Sequence, residues 1–309
     1  MSGPERWWWS TVDLYLPQWI WALPALALGL ASLRIARRWA WFQCLPLLWV
    51  AGPMMGFTWS SPAAASAGRP SLRVMTYNIK WSRRDLPAVA DQIAHADPDL
   101  LLLQDNGGKL FEILRDTHPG WSVERVAQYV VATRLPLADV SERALVPAAA
   151  KDDRVGTALR CRVRLGDVWI TVYNVHLITP RSGLGPVREG ESDGVEMLAR
   201  NSAERLAEAE GLARCVQAEE GPLIVAGDLN APEPSLVCRQ LTSLGLADAF
   251  SAAGRGYGYT YGHSLHALYP FLRLDHILMS GEFAAASCRA GGTEGSDHCP
   301  VVADLWLRG

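Results

Sequence analysis

Six apolar stretches of this chain each end in, or contain, a side chain able to hold a proton, a metal ion or a phosphate oxygen. They carry Asn78, Asp105, His176, Asp228 with Asn230, Asp275, and Asp297 with His298. The last pair lies in Gly295-Ser296-Asp297-His298-Cys299-Pro300, directly before the apolar run Val301–Trp306. A strand there fixes the backbone while the loop presents an acid and an imidazole at its edge. An apolar core has no use for such groups, and unpaired they are costly to bury. Any one of them alone reads better as a turn former, a strand-end cap or a surface acid. The whole set points to one shared site. Three Asp and an Asn make a hard, oxygen-rich donor set, suited to Mg2+ or Mn2+ over zinc. The remaining acids and His can activate water and steady a phosphate-like transition state. No G-x-S-x-G elbow and no Walker-type loop is present. Metal-assisted hydrolysis of a phosphate ester is the expected chemistry.

Regular elements must bring these residues together. Leu72 to Asn78 alternates as a strand does and ends in an amide. Asp85 caps a helix predicted from Leu86 to His95, closed before Asp97-Pro98. Leu100–Leu103 is a central-strand run leading into Gln104-Asp105-Asn106-Gly107-Gly108. Tyr129–Thr133, Val155–Leu165 and Val168–Val175 read as further strands, the last two a hairpin turning at Gly166-Asp167. Gly194 to Glu220 is helical, with Leu206, Ala209, Leu212 and Val216 as its apolar stripe and Gly221-Pro222 as its stop. Leu223–Ala226 is a buried strand ending in Gly227-Asp228-Leu229-Asn230, and Leu272–Met279 carries Asp275-His276. His276, beside Asp275, reads as a strand residue facing elsewhere. These elements lack the regular alternation of a doubly wound fold, so two packed mixed sheets with helices outside are expected.

The N-terminal stretch has a different character. Leu14–Leu33 and Trp39–Trp59 are almost wholly apolar, each about the twenty residues that cross a hydrocarbon core. Trp19, Trp21, Trp39, Trp41 and Trp59 lie near their ends, as interfacial anchors do. Arg34, Arg37 and Arg38 occupy the connection, so the positive-inside rule keeps it in the cytoplasm and places the remainder outside. A signal peptide cleaved near Ala63-Ala64-Ala65-Ser66-Ala67 is the rival reading and exports the remainder as well. The expected organisation is a transmembrane helical hairpin over 1–59, a linker over 60–71 and one domain over 72–309. The net charge is −3; with five Arg and two acids in residues 1–69, the rest of the chain carries 24 basic and 30 acidic residues. A nucleic-acid surface would therefore have to be a local patch. Six Cys without C-x-x-C spacing argue against a structural zinc site.

The motifs, taken in order, resemble those of the endonuclease/exonuclease/phosphatase superfamily. The resemblance rests on Asn78 after a strand, Leu103-Gln104-Asp105, Asn174-Val175-His176-Leu177, Gly227-Asp228-Leu229-Asn230-Ala231, Asp275-His276-Ile277 and Ser296-Asp297-His298-Cys299-Pro300. Val130 to Leu137 is similar to a further strand of that family. Each motif is weak alone; their order across Leu72 to Leu307 is specific. The resemblance implies a four-layer α/β sandwich with its site at one mouth of the two sheets. It implies that Asp105, helped by Asn78 and Asp297, holds a divalent metal, Mg2+ or Mn2+. It implies that Asp228 orients or deprotonates the attacking water, that Asn230 and His176 grip phosphate oxygens, and that His298, paired with Asp275, stabilises the transition state. Where that family carries Glu this chain has Asp105, whose shorter arm moves the carboxylate back by roughly one bond length, and Mg2+ is strict about geometry.

The motifs define a reaction and not a substrate. A short tether confines the domain to a bilayer surface and raises its effective concentration there, so lipid-linked phosphates are the first expectation. An exported nuclease is the second, with Arg83, Arg84, Arg181 and Arg188 as candidate phosphate contacts. A catalytically inactive tethered binding module is the third, and Asp105 is its one support. The topology makes a direct prediction: a reporter active only outside the cytoplasm, fused after Gly68, gives signal, and a silent fusion overturns export.

Overall fold

The computed structural model describes residues 3–61, 68–82, 85–146, 156–265 and 269–308. The expectations placed on Ala63–Ala67, Arg83, Arg84 and Val155 lie outside the described residues. The chain opens with helices α1 (Trp8–Leu14), α2 (Ala22–Ile35) and α3 (Cys44–Trp49) and a short strand β1 (Thr58–Trp59). There follow β2 (Ser71–Asn78), α4 (Leu86–Ala96), β3 (Leu100–Gln104), α5 (Lys109–Thr117), β4 (Ser122–Val126), β5 (Tyr129–Thr133) and β6 (Leu137–Ala144). Asp85 caps α4 as expected, its Oδ1 accepting from Ala88 N at 3.1 Å. The hairpin β7 (Thr157–Leu165) and β8 (Val168–His176) leads through α6 (Arg181–Glu189) and α7 (Gly194–Gln217) to β9 (Leu223–Asp228). The chain closes with α8 (Leu236–Thr242), β10 (Ala247–Asp248), α9 (Ala249–Ala253), β11 (Arg255–Gly256), β12 (Asp275–Met279), β13 (Phe283–Ala290) and β14 (Val301–Leu307).

Two mixed six-stranded sheets result, ordered β13-β14-β2-β3-β5-β4 and β10-β12-β9-β8-β7-β6. In each, one central pair is parallel, β2 with β3 and β8 with β9. These strands are apolar on both faces because each sheet is covered twice. On the inner faces Val74, Leu100, Leu102 and Val131 share one core with Val163, Ile170, Val172, Ile224 and Ile277. On one outer face α4 and α5 lay Val89, Ile93, Leu110 and Leu114 against Met75, Tyr77, Leu101 and Leu103. On the other, Leu212, Val216, Val237 and Leu241 of α7 and α8 cover Tyr173, Val175, Val225 and Leu278. Each such side chain contributes about 1.5–3 kcal/mol by leaving water. The layers run helix, sheet, sheet, helix, the four-layer α/β sandwich expected from sequence.

Alternation then positions the site. Successive residues of a strand point to opposite faces. The face that begins with Val74 in β2 therefore ends with Asn78, and the face of Leu100 and Leu102 ends with Gln104. By the same count Ile170 and Val172 lead to Asn174 and His176, Ile224 and Ala226 to Asp228, and Ile277 back to Asp275. Asp275 pairs with Asp228 across the β12–β9 ladder, and His176 with Asp228 across β8–β9. The inner faces are thus apolar through the middle and polar at one mouth.

The N-terminal stretch departs from a pair of spanning helices. One helical run, Gln18–Ile35, is long and apolar enough to cross a membrane. The second expected span is a series of short pieces: a 3-10 helix over Arg37–Gln43, α3, and a π-helical turn over Val50–Met54 that contains Pro53. Pro46 and Pro53 each remove a backbone donor, which favours breaks over one continuous helix. These pieces fold back along α2, and β1 then pairs with β11 on the sandwich. Leu14, assigned by sequence to the first apolar run, is buried with Tyr15 against Tyr261, Leu272 and Leu274.

Gly227 shows how tight the mouth is. Its φ is 149°, and a Cβ there would collide with the Val175 carbonyl of the neighbouring strand. Gly227→Ala is expected to destabilise the fold by about 2–4 kcal/mol, backbone strain and overpacking together. Urea unfolding measures the loss, and an unchanged midpoint would contradict this packing.

Candidate active site

A cleft of about 160 Å³ opens at the polar mouth, lined by Asn78, Asp105, His176, Asp228, Asn230, Asp297 and His298 together with Lys80, Thr179 and Arg181. Of the eight residues assigned to the site from sequence, seven line the cleft, and Asp275 stands behind His298.

Asp228 is the centre. Its Oδ2 accepts from Asn78 Nδ2 at 2.9 Å and its Oδ1 from the Asn230 backbone N–H at 2.8 Å. The Nε2 atoms of His176 and His298 both lie 3.6 Å from Oδ2. Asn230 reaches this position through a left-handed backbone, φ 50°, and spends one amide hydrogen on the Leu177 carbonyl at 2.8 Å. His176 Nδ1 lies 2.9 Å from Gln128 Oε1, an acceptor, which assigns the proton to Nδ1.

His298 Nδ1 donates to Asp275 Oδ2 at 2.8 Å. Burial works against a charged imidazole, but the carboxylates of Asp275, Asp228 and Asp297 outweigh it and push His298 up to about 9. Burial pushes Asp275 up as well, opposed by His298. The donor atoms of Asp228, Asp275 and His298 lie within 4.8 Å of one another. With His298 protonated, the trio holds a proton among two carboxylates and an imidazole.

Asp297 differs. Burial raises its pKa, yet His298, Lys80 and Arg181 hold it below the usual carboxylate range. Lys80 Nζ is bonded to its Oδ2, and Arg181 Nη2 lies 3.4 Å from the same oxygen. Asp105 is the opposite case. It sits in a left-handed turn, φ 52°, that swings its side chain toward the cleft after β3 has ended. The nearest imidazole, His176 Nδ1, lies 3.6 Å from it, and among the described residues no hydrogen bond reaches its carboxylate. Burial, helped by the charge of Asp228, raises its pKa.

Lys80, Thr179 and Arg181 were not assigned to the site by sequence reasoning, although Arg181 was considered as a contact for nucleic acid. Lys80 lies two residues past Asn78, but φ 44° there breaks the strand's alternation, so its direction was not legible. Arg188 does not line the cleft and is paired with Glu189 at 3.0 Å. His276 falls on the outer face, its ring nitrogens 2.8 Å from Asp248 Oδ2 and 3.0 Å from the Ala231 carbonyl. It takes no place in the cleft. All six Cys are free thiols.

Fold and cleft together define a class, the α/β sandwich hydrolases whose polar site lies at one mouth of two packed sheets. The model of the Endonuclease/Exonuclease/phosphatase family matches residues 75–298. This chain belongs to that family, whose members hydrolyse phosphoester bonds. Similar solved structures include an endonuclease/exonuclease/phosphatase from Bacteroides vulgatus, with TM-score 0.58 and 19% identity over 77% of this chain and 99% of that one. The truncated TDP2 of Caenorhabditis elegans gives 0.57 and 16% over 77% and 98%. The catalytic domain of human nocturnin, with a bound sulfate anion, gives 0.57 and 21% over 78% and 96%. No curated protein sequence matches the chain.

The donor set fits a divalent cation. Asp105 is a desolvated carboxylate short of partners, and it shares the cleft with the oxygens of Asp297 and Asn78. A carboxyl group with a raised folded pKa adds stability only below its unfolded pKa and loses it as pH rises through the folded value. At neutral pH ionised Asp105 is therefore a net cost that a bound cation offsets. Asp105→Asn is expected to raise the melting temperature of the metal-free protein at pH 7 and to abolish the rise on adding Mg2+ or Mn2+. Calorimetry with and without metal measures both, and a full metal response in the variant would remove Asp105 from the donor set.

Proposed function

We propose that this protein is a metal-dependent hydrolase of phosphoester or phosphoanhydride bonds, held at a membrane with its site outside the cytoplasm, and that its substrate is a lipid-linked phosphate. The reading is carried by the hydrogen-bonded row Asp275–His298 facing Asp228, with Asn78 fixing the far side of that carboxylate.

In this reading Asp228 orients the attacking water and takes its proton, since both carboxylate oxygens are already aimed by Asn78 and the Asn230 N–H. The water oxygen adds to phosphorus as the opposite phosphorus–oxygen bond breaks. His298, kept cationic by Asp275, stabilises charge growing on the phosphate oxygens. Asn230 and His176, the latter with Nε2 also protonated, hold those oxygens, and Lys80 and Arg181 add positive charge at the rim of the cleft. Asp105, Asn78 and Asp297 are the residues that hold Mg2+ or Mn2+, whose chemistry when bound is to polarise the phosphate.

The membrane part has support of its own. Gln18–Ile35 suits a bilayer by length and composition. Both flanks of the apolar stretch rest on the sandwich, Tyr15 through the Asn230 carbonyl and β1 through β11. Two flanks on one body lie on one side of a membrane, so any crossings between them are even in number. With Arg34, Arg37 and Arg38 at the bend kept inside, the sandwich lies outside.

The experiment offers the purified full chain, with Mg2+ or Mn2+, a lipid pyrophosphate, an inositol phosphate and plasmid DNA. Phosphate release from the lipid is expected, with Asp228→Ala and His298→Ala each slower by about 10²–10⁴-fold. Nicked plasmid without phosphate release would make the protein an exported nuclease. Silence on every substrate, unchanged in Asp228→Ala, would make it a binding module.

A further inference from the structure

The polar cleft is small. Its volume of about 160 Å³ accepts a phosphoryl group with a few waters, each water claiming roughly 30 Å³. The rest of any substrate must lie next door. The neighbouring space is a chamber of about 550 Å³ that shares Thr179, Arg181 and Asn230 with the cleft. Its walls are aliphatic: Leu184 and Val187 from α6, Leu272 and Leu274 from the approach to β12, Val12 and Leu16 from the N-terminal segment.

That N-terminal wall is fastened to the sandwich at both ends. Glu5 accepts from the Leu236 backbone N–H at 2.9 Å, and Tyr15 donates to the Asn230 carbonyl at 3.1 Å. Arg205 donates to the same carbonyl at 2.9 Å and lies over the Tyr15 ring, so the segment that closes the chamber also helps to set Asn230. Beyond Leu16 the chain enters the apolar run Gln18–Ile35, whose Leu23, Leu26 and Leu30 are exposed. One end of the chamber meets the reacting centre, and its wall continues into a helix suited to a bilayer.

We propose that this chamber is a binding site for the hydrocarbon chain of a lipid phosphate, with the N-terminal segment forming one wall of the substrate site. The proposal rests on the phosphohydrolase reading above and adds to it the place where the lipid lies. The phosphate occupies the cleft beside Arg181, and the first methylenes turn past Asn230 into the aliphatic chamber. Among the described lining residues the cations are Arg181 and Arg188, both on α6, too few to follow a polyanion backbone. The aliphatic walls reward buried methylenes instead, roughly two- to fourfold in affinity for each.

The test uses the full chain in lipid nanodiscs with Mg2+ or Mn2+ and monoalkyl diphosphates from ethyl to octyl, read by phosphate release. The expected result is a kcat/KM that rises at least about tenfold from ethyl to octyl, mostly through KM. In Leu184→Trp, and separately in Val12→Trp, the octyl-to-ethyl ratio is expected to collapse toward one as the indole fills the chamber. Phosphate release with no dependence on chain length overturns the chamber and leaves the hydrolase reading standing. Should none of the diphosphates be cleaved, that reading fails, and the chamber is judged by calorimetry of ethyl and octyl phosphate binding to Asp228→Asn. Equal affinities overturn it there, and tighter octyl binding that is lost on adding Val12→Trp sustains it.

Discussion

A single amide-to-amide hydrogen bond crosses between the two sheets directly beneath the cleft: Gln104 Nε2 donates to Asn174 Oδ1 at 2.7 Å. Both side chains are buried, so each must find partners inside the protein or forgo its hydration without return. Asn174 also donates to the Leu103 and Val130 carbonyls at 3.0 and 3.1 Å, and Gln104 to Thr76 Oγ1 at 2.9 Å. A slip of one residue in either sheet would orphan these amides and turn the polar mouth outward. The bond from Asn78 to Asp228 is the next rung above, again joining one sheet to the other. The apolar core holds the sheets together, and this polar layer decides how they are aligned.

Alignment alone does not make a reactive cleft; its loops must be held as well. Buried Glu208 accepts from the Gly156 and Ile178 backbone N–H groups at 2.5 and 2.6 Å. Arg205 donates to the Ile178 and Asn230 carbonyls at 3.1 and 2.9 Å. These two α7 side chains therefore brace, from behind, the loops that follow β8 and β9. Burial pushes Glu208 up to about 7, so neutral solution is near the midpoint of its titration. Ser296 Oγ donates to the Asn78 carbonyl at 2.7 Å and ties the Asp297-His298 loop to β2. Groups fixed this way need little reorganisation as charge develops on a substrate.

Much of this was legible in the residues. The strands Leu72–Asn78, Leu223–Ala226 and Val168–Val175 were read from the residues, and the two-face geometry of a strand carries each polar end residue to the inner face. The same rule kept His276 out of the cleft while admitting Asp275. Less legible were the residues that leave a strand's geometry. Lys80 and Asp105 reach the cleft through left-handed backbone, where alternation carries no information. Arg181 arrives from a helix, and its place depends on how α6 packs. The apolar N-terminus misled in a different way, since composition cannot distinguish a side chain that meets lipid from one, such as Leu14, that meets Leu272.

The sequence by itself determined the strands that carry the site and the set of acids, amides and imidazoles at their ends, because these follow from local periodicity and residue chemistry; the outlying strands β4, β6 and β13 were not read from it. Only the tertiary structure decided which charges pair. It set Lys80 and Arg181 against Asp297, left Asp105 short of partners, and closed an aliphatic chamber beside the cleft with a segment more than two hundred residues away in the chain. Coulomb interactions and burial act through distance in space, and residues remote in sequence have no fixed distance until the sheets have packed.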